Sequence, residues 1–134
     1  MLKGLNWVGV IAGLVYAELL GYVWYAVVFG PKLKGMMPAS ATSPMGYAEG
    51  ALISLVTIIG VAWLVKKTGT ADFVAGAIFG AMVWFFLPFM CELSNMVYMG
   101  KSREMVEIDA GFMLLFLAGV GALTAGLKLG KSAA

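Results

Sequence analysis

Four long apolar stretches, separated by shorter polar connections, dominate the chain. A helix of about 20 residues, at 1.5 Å per residue, crosses the roughly 30 Å hydrocarbon core of a bilayer. A membrane β-barrel would instead need strands of about ten residues that alternate between lipid and lumen, whereas these stretches are continuous. The pattern therefore predicts an all-α integral membrane protein, a four-transmembrane-helix bundle in which residues 1–134 form a single membrane domain. The predicted spans cover residues 5–29, 47–65, 73–91 with room to extend to 99, and 110–127.

Helix-breaking and capping residues mark the ends of these spans. Gly30-Pro31 stops the first helix. Asp72 is placed to cap the third helix, and Asp109 is placed to cap the fourth. Within the third span, Pro88 has no N–H to donate one turn back, so we expect a kink there. Such a kink either opens a cavity between helices or is only structural.

Composition changes the picture mainly by exclusion. The chain is 62% hydrophobic and 12% charged, with a net charge of +2, whereas soluble domains are about 45–50% apolar and about a quarter charged. It has no histidine and one cysteine, Cys91, which removes the usual metal and haem ligand and any internal disulfide. The sequence contains no catalytic or nucleotide-binding motif. We therefore expect no enzyme activity, no cofactor, no metal site and no nucleic-acid partner.

One acidic residue, Glu18, falls in the middle of the first apolar span. An ionised side chain near the bilayer centre costs at least roughly 2.5–3.5 kcal/mol, so another group must offset that cost. Tyr22 and Tyr25 share its helical face. Three interpretations remain open: a protonated carboxyl group that only fixes helix register, a site for an ion, proton or ligand, and exposure to lipid.

A second polar pair, Glu92 and Asn95, lies three residues apart on one helical face near the end of the third span. It is either part of a binding site or a solvated helix end beside Lys101 or Arg103. The sequence favours the solvated end, because the pair lies close to the membrane interface. The candidate ligand-binding or ion-binding residues are Glu18, Tyr22, Tyr25, Glu92 and Asn95.

Small residues recur every four positions along the spans. Such ridges let helix backbones approach closely in lipid. The ridges pack within one chain or face another subunit, and because every span has one, we expect a homo-oligomer or a larger membrane complex in the lipid bilayer. The ridge residues singled out for helix packing or oligomerisation are Gly9, Gly13, Ala17 and Gly21 in the first span and Gly76 and Gly80 in the third.

The basic residues bias the orientation only slightly. Cytoplasmic loops carry an excess of Lys and Arg. One side of the membrane has five such residues and the other has four, which predicts that both termini are cytoplasmic. The five are Lys3, Lys66, Lys67, Lys128 and Lys131, and the four are Lys32, Lys34, Lys101 and Arg103.

Several short motifs together resemble a known family. They are Asn6-Trp7, Gly21-Tyr22-Val23-Trp24-Tyr25 followed by Phe29-Gly30, Asn95 with Arg103, and Ile108-Asp109-Ala110-Gly111-Phe112. In this order they resemble the small bacterial membrane proteins of the domain-of-unknown-function family numbered 1761. The resemblance implies a four-helix protein of the bacterial inner membrane. It implies no activity, because the family is named for lacking one.

Two functional hypotheses follow, and an intramembrane enzyme that uses only Glu18 and tyrosines ranks third, because no motif argues for it. In the first, the chain is a small, oligomeric inner-membrane protein whose polar interior around Glu18 binds or conducts an ion, a proton or a small amphipathic ligand. In the alternative, it is a structural or accessory subunit that docks to a larger membrane complex, and Glu18 only fixes helix register. The behaviour of a Glu18→Gln variant would distinguish the two hypotheses.

Overall fold

The computed structural model describes residues 2–127, so Lys128 and Lys131 of the orientation count lie outside the described residues. Within this part of the chain, four helical segments are long and apolar enough to cross a membrane. They confirm the predicted all-α, four-span architecture. Their bounds are Trp7–Val28, Pro44–Thr68, Phe73–Tyr98 and Arg103–Gly126.

The first span combines two kinds of helix. Helix α1 (Trp7–Tyr22) begins after Asn6, whose side chain accepts a hydrogen bond from the backbone N–H of Gly9. A π-helical segment (Val23–Val28) then completes the span. Its turns are wider than those of an α-helix, and π segments are frequent at functional sites. The side chains of this segment therefore depart from the face that an α-helix would give them.

The connection to the second span is partly helical. Helix α2 (Gly30–Leu33) and a 3-10 turn (Ala39–Thr42) lie within it. Helix α3 (Pro44–Thr68) follows and forms the second span. It ends at Gly69, whose φ of 69° is a left-handed conformation that glycine adopts without steric cost.

Pro88 divides the third span, as predicted, into α4 (Phe73–Phe86) and α5 (Pro88–Tyr98). The intervening Leu87 has φ −117° and ψ −79°, which interrupts the regular helix. Asp72 caps α4 as predicted, because its carboxylate accepts a hydrogen bond from the N–H of Ala75 at 2.7 Å.

The predicted start of the fourth span is wrong. Helix α6 (Arg103–Gly126) begins seven residues before residue 110 and is capped by Ser102, whose hydroxyl accepts from the N–H of Met105. Asp109 is therefore not a cap but lies in the second turn of the helix. Charged residues obscured this start in the hydropathy pattern, although Arg103 and Glu107 form an ion pair one helical turn apart.

Helix α6 is the central element of the bundle and packs against α1, α3, α4 and α5. In its most apolar stretch 44% of the residues are buried, against 11–22% in the other spans. The most completely buried large side chains are Val10 of α1, Ile58 of α3 and Val120 of α6. These three helices therefore share one core, and α4 packs on α6.

The small-residue ridges of the first and third spans pack inside the chain. A Cβ atom on Gly76 would overlap the carbonyl oxygen of Gly121, and one on Gly80 would overlap that of Leu117. On α1, a Cβ on Gly9 would lie 2.8 Å from the Cα of Thr124. The remaining ridge residues also face the interior: Gly13 faces Ile58, Ala17 is buried and Gly21 faces Phe112.

Candidate functional site

A cleft of about 900 Å³ separates the second half of the first span from the first half of α3. The connection between these two spans bounds it, and α6 contributes Phe112 to its wall. Pro88 does not line this cleft, so the kink at Pro88 is not what opens it. The lining residues from the spans include Ala17, Glu18, Gly21, Tyr22, Tyr25, Gly46, Tyr47, Gly50, Ser54 and Phe112.

Small residues on both walls create this space. Gly21 lines the α1 side, and Gly46, Gly50 and Ser54 form a ridge on the α3 side. Among the described residues, no atom lies within 4 Å of the place that a Cβ atom on Gly50 would take. The α3 ridge therefore has no helix packed against it at this point and borders open space instead.

Glu18 lines the cleft at the middle of the membrane-spanning segment. It is the twelfth of the 22 residues of the first span, and its side chain is exposed to the cleft. Its carboxylate forms neither an ion pair nor a hydrogen bond within residues 2–127. Tyr22 lines the same cleft one turn further on. The structure thus places a carboxylate in the membrane without a partner among the described residues.

The second candidate tyrosine, Tyr25, lines the same cleft but is hydrogen-bonded to a residue other than Glu18. Its hydroxyl donates a 2.6 Å hydrogen bond to Oδ1 of Asp109. The Nζ atom of Lys101 lies 2.6 Å from Oδ2 of Asp109 and 2.6 Å from Oε2 of Glu92. We call Tyr25, Glu92, Lys101 and Asp109 the charged cluster. It joins the first span to both sides of the connection between α5 and α6.

Burial makes the charged cluster interdependent. The side chain of Glu92 is 7% exposed, so the prediction of a solvated helix end is wrong, although Lys101 is the predicted neighbour. Burial lowers the pKa of the Lys101 ammonium, but the hydrogen bonds and charges of Asp109 and Glu92 raise that pKa by more, leaving it above its ordinary value. A buried carboxylate is costly unless it is paired. Lys101 therefore supplies the counter-charge for both Glu92 and Asp109.

Asn95 supports this arrangement through its backbone rather than through its side chain. Its carbonyl oxygen accepts from the N–H groups of Met99 and Lys101, which ends α5 and turns the chain toward α6. Gly100 permits that turn with a φ of 71°. Of the five candidate residues, Glu18, Tyr22 and Tyr25 line the cleft, whereas Glu92 and Asn95 do not.

Two tryptophan side chains also donate hydrogen bonds to the backbone of the first turns of α6. Sequence analysis did not predict these contacts. The indole N–H of Trp24 donates to the carbonyl of Ile108 at 3.0 Å, and that of Trp84 donates to the carbonyl of Ala110 at 2.8 Å. A signal was available for the first of these contacts. The Trp24-Tyr25 segment and the Ile-Asp-Ala segment both belong to the family resemblance, and here they hydrogen-bond to each other.

The family model described as "Protein of unknown function (DUF1761)" matches residues 8–125. The chain belongs to this family. No match was found among curated proteins or among solved structures. The matched region contains both the cleft and the charged cluster of this DUF1761 protein.

The cleft and the charged cluster of this DUF1761 protein meet at Tyr25, which belongs to both. The cleft offers one carboxylate, aromatic side chains and small apolar residues, a combination suited to an organic cation. Within residues 2–127 no group of three or more His, Cys, Asp or Glu side chains could hold a metal ion.

Proposed function

We propose that this multi-pass membrane protein binds a small amphipathic organic cation in the cleft between α1 and α3. The observation that carries the proposal is Glu18, a mid-membrane carboxylate that lines the cleft and has no partner within the described residues. A bound cation supplies the missing counter-charge and offsets the cost of holding that carboxylate in the membrane.

The size and lining of the cleft favour an organic ligand over a bare metal ion. Small-molecule sites are typically about 300–1,000 Å³, mostly apolar, with a few polar groups that fix orientation, and this cleft has about 900 Å³. Calcium and magnesium require about six or more oxygen ligands, whereas Glu18 is the carboxylate residue in the lining. The rings of Tyr22 and Tyr47 provide faces that attract organic cations.

The basic residue of the lining, Lys34, belongs to the connection rather than to a span. Ten residues of the first span, about 15 Å of helix, separate Glu18 from the end of that span at Val28. Lys34 thus lies toward the aqueous interface, where water and salt screen its charge. A cation near Glu18 is attracted by the nearer carboxylate.

The test is binding of tetraphenylphosphonium to the purified full-length protein in lipid nanodiscs, measured by calorimetry. We expect Glu18→Gln, which keeps shape but removes charge, to weaken binding at least about tenfold, or about 1.4 kcal/mol. The matched control is Glu49→Gln, because Glu49 is an exposed carboxylate of α3 that does not line the cleft. Equal affinity of wild type and Glu18→Gln, or no binding by the wild type, would overturn the proposal.

A second measurement distinguishes a binding protein from a transporter. Wild type and Glu18→Gln are reconstituted into proteoliposomes, and entry of the same cation is followed. Transport predicts flux that is lost in Glu18→Gln, whereas a binding protein gives Glu18-dependent affinity without flux.

A further inference from the structure

We infer that the ligand of this cleft carries a hydrogen-bond donor, such as a hydroxyl or an amide N–H, in addition to its cationic group. The hydroxyl oxygen of Tyr25 accepts the hydrogen bond from this donor. This inference rests on the proposed function and specifies the chemical class of its ligand. It depends on how the charged cluster uses the hydroxyl of Tyr25.

A tyrosine hydroxyl has one hydrogen to donate and lone pairs that accept. In Tyr25 that hydrogen is already donated to Oδ1 of Asp109 at 2.6 Å, a short distance typical of a hydrogen bond to a charged group. The remaining capacity of Tyr25, which also lines the cleft, is to accept. Tyr22 differs, because no hydrogen bond of its hydroxyl is found within residues 2–127, and it is free to donate or accept.

Lys101 fixes the direction of the Tyr25 hydrogen bond. Its ammonium group lies 2.6 Å from the second carboxylate oxygen of Asp109 and the same distance from Glu92. An ionised carboxylate beside an ammonium group has no hydrogen to give. Asp109 must therefore accept from Tyr25, so Tyr25 cannot turn its hydrogen toward a ligand without losing a charge-assisted bond.

The spacing along the first span sets how far apart the two recognition residues lie along the helix axis. Glu18 and Tyr25 are seven residues apart, which is about 10 Å of helix, and both line the same cleft. The wall between them includes Gly21, with Phe112 of α6 facing it. The ligand class is therefore an amphipathic amine or quaternary ammonium with an apolar spacer and a distal donor.

The experiment uses three alkyl trimethylammonium probes with a spacer of about 10 Å, the separation set by the helical rise. They end in a hydroxyl, a methyl group or a methyl ketone, so only the first can donate. We expect wild-type protein to bind the hydroxyl probe about three- to tenfold tighter than the other two, the effect of one hydrogen bond. In Tyr25→Phe this preference disappears.

Two further variants provide controls. Tyr22→Phe preserves the preference, because Tyr22 lies one turn from Glu18, next to the cationic group that all three probes share. In Asp109→Asn the new amide can both donate and accept, so the preference for hydroxyl over ketone falls. This second variant tests the inference independently of any folding defect in Tyr25→Phe.

The inference is overturned if the ketone probe binds as tightly as the hydroxyl probe, or if the preference survives Tyr25→Phe. Both outcomes leave the proposed function standing, provided that Glu18→Gln still weakens all three probes equally. Failure of all probes and of tetraphenylphosphonium to bind the wild type would instead overturn both proposals.

Discussion

The α4–α6 pair and the α1–α3 pair use small residues with opposite results. Between α4 and α6, Gly76 meets the backbone of Gly121 so closely that neither could carry a side chain. Between α1 and α3, Gly13 packs on Ile58, but further along Gly50 of α3 borders an open cleft. A small-residue ridge therefore permits close approach without causing it. The outcome depends on what the neighbouring helix presents.

The charged cluster adds to this contrast. It fastens α5 and α6 to the end of the first span through Lys101, Asp109 and Tyr25. The cleft next to it instead has Glu18, a carboxylate with no ion-pair or hydrogen-bond partner in residues 2–127. We interpret the packed pair as the scaffold and the open pair as the ligand-binding part, a division that the following predictions test.

The largest expected effect is loss of the cluster's cation. Lys101→Met leaves the buried carboxylate of Glu92 without its ion-pair partner, and breaking a buried pair in this way costs about 3–5 kcal/mol. We expect a large fall in the midpoint of thermal unfolding, followed by tryptophan fluorescence in detergent. Lys32→Met is the control, because the pair of Lys32 with Glu104 is 61% and 49% exposed and such pairs contribute at most about 1 kcal/mol. Equal effects would show that the cluster is not needed for the scaffold.

The next largest effect comes from the same glycine-to-alanine substitution made in the α4–α6 pair and in the α1–α3 pair. In Gly80→Ala the new Cβ would overlap the carbonyl oxygen of Leu117. Because that oxygen belongs to the backbone of α6 and cannot move aside as a side chain can, we expect destabilisation of about 1–3 kcal/mol. In Gly50→Ala the Cβ meets no atom of residues 2–127 within 4 Å, so better helix propensity should stabilise α3 by up to about 1 kcal/mol. Denaturation of both variants in the same detergent measures the difference. The same sign for both would remove the contrast between the pairs.

Filling the cleft should affect binding without affecting the scaffold. Gly50→Leu projects a side chain into the cleft, and we expect at least about tenfold weaker tetraphenylphosphonium binding, or about 1.4 kcal/mol. The unfolding midpoint should stay close to that of wild type. Gly60→Leu is the matched control, because Gly60 also has open space around it but does not line the cleft. A similar loss of affinity in both variants would argue against binding in the cleft.

The smallest effect concerns alkaline pH. The pKa of Lys101 is raised in the folded state, so its contribution to stability is complete below the ordinary value of 10.5 and is lost as pH rises through the folded-state pKa. Arginine remains charged throughout this range. We therefore expect the unfolding midpoint of wild type to fall relative to that of Lys101→Arg above about pH 10.5. A difference independent of pH would contradict the assigned ion pairs.

The sequence alone predicted the structural features that depend on residues within a single helix or at its ends. Four apolar runs give four spans, Asp72 caps α4 and Pro88 breaks the third span, each for a local reason. Glu18 and Tyr22, one turn apart, both line the cleft. These results depend on helical spacing and backbone chemistry that the sequence displays directly.

The features that were missed depend on contacts between segments. The burial of Glu92 depends on the start of α6 at Arg103 and on the ion pair of Glu92 with Lys101 of the connection. The hydropathy pattern shows neither the start of the helix nor the ion pair. Tyr25 lines the same cleft as Glu18. It lies in the π-helical segment that begins at Val23, and its hydroxyl also donates a hydrogen bond to Asp109 of α6, a contact that the spacing along one helix does not show. A change of helix type alters the direction of a side chain without altering the sequence pattern.

The position of the cleft along the spans gives the molecule a direction across the membrane. The first span starts at Trp7, and the cleft begins only at Ala17 and continues to the connection that contains Lys34. It therefore occupies the half of the bilayer remote from the amino terminus. If the cleft binds the proposed cation, a cation dissolved in that leaflet would reach Glu18 directly, whereas one in the opposite leaflet would first have to cross the bilayer. Locating the amino terminus would thus also identify the compartment from which the site is supplied.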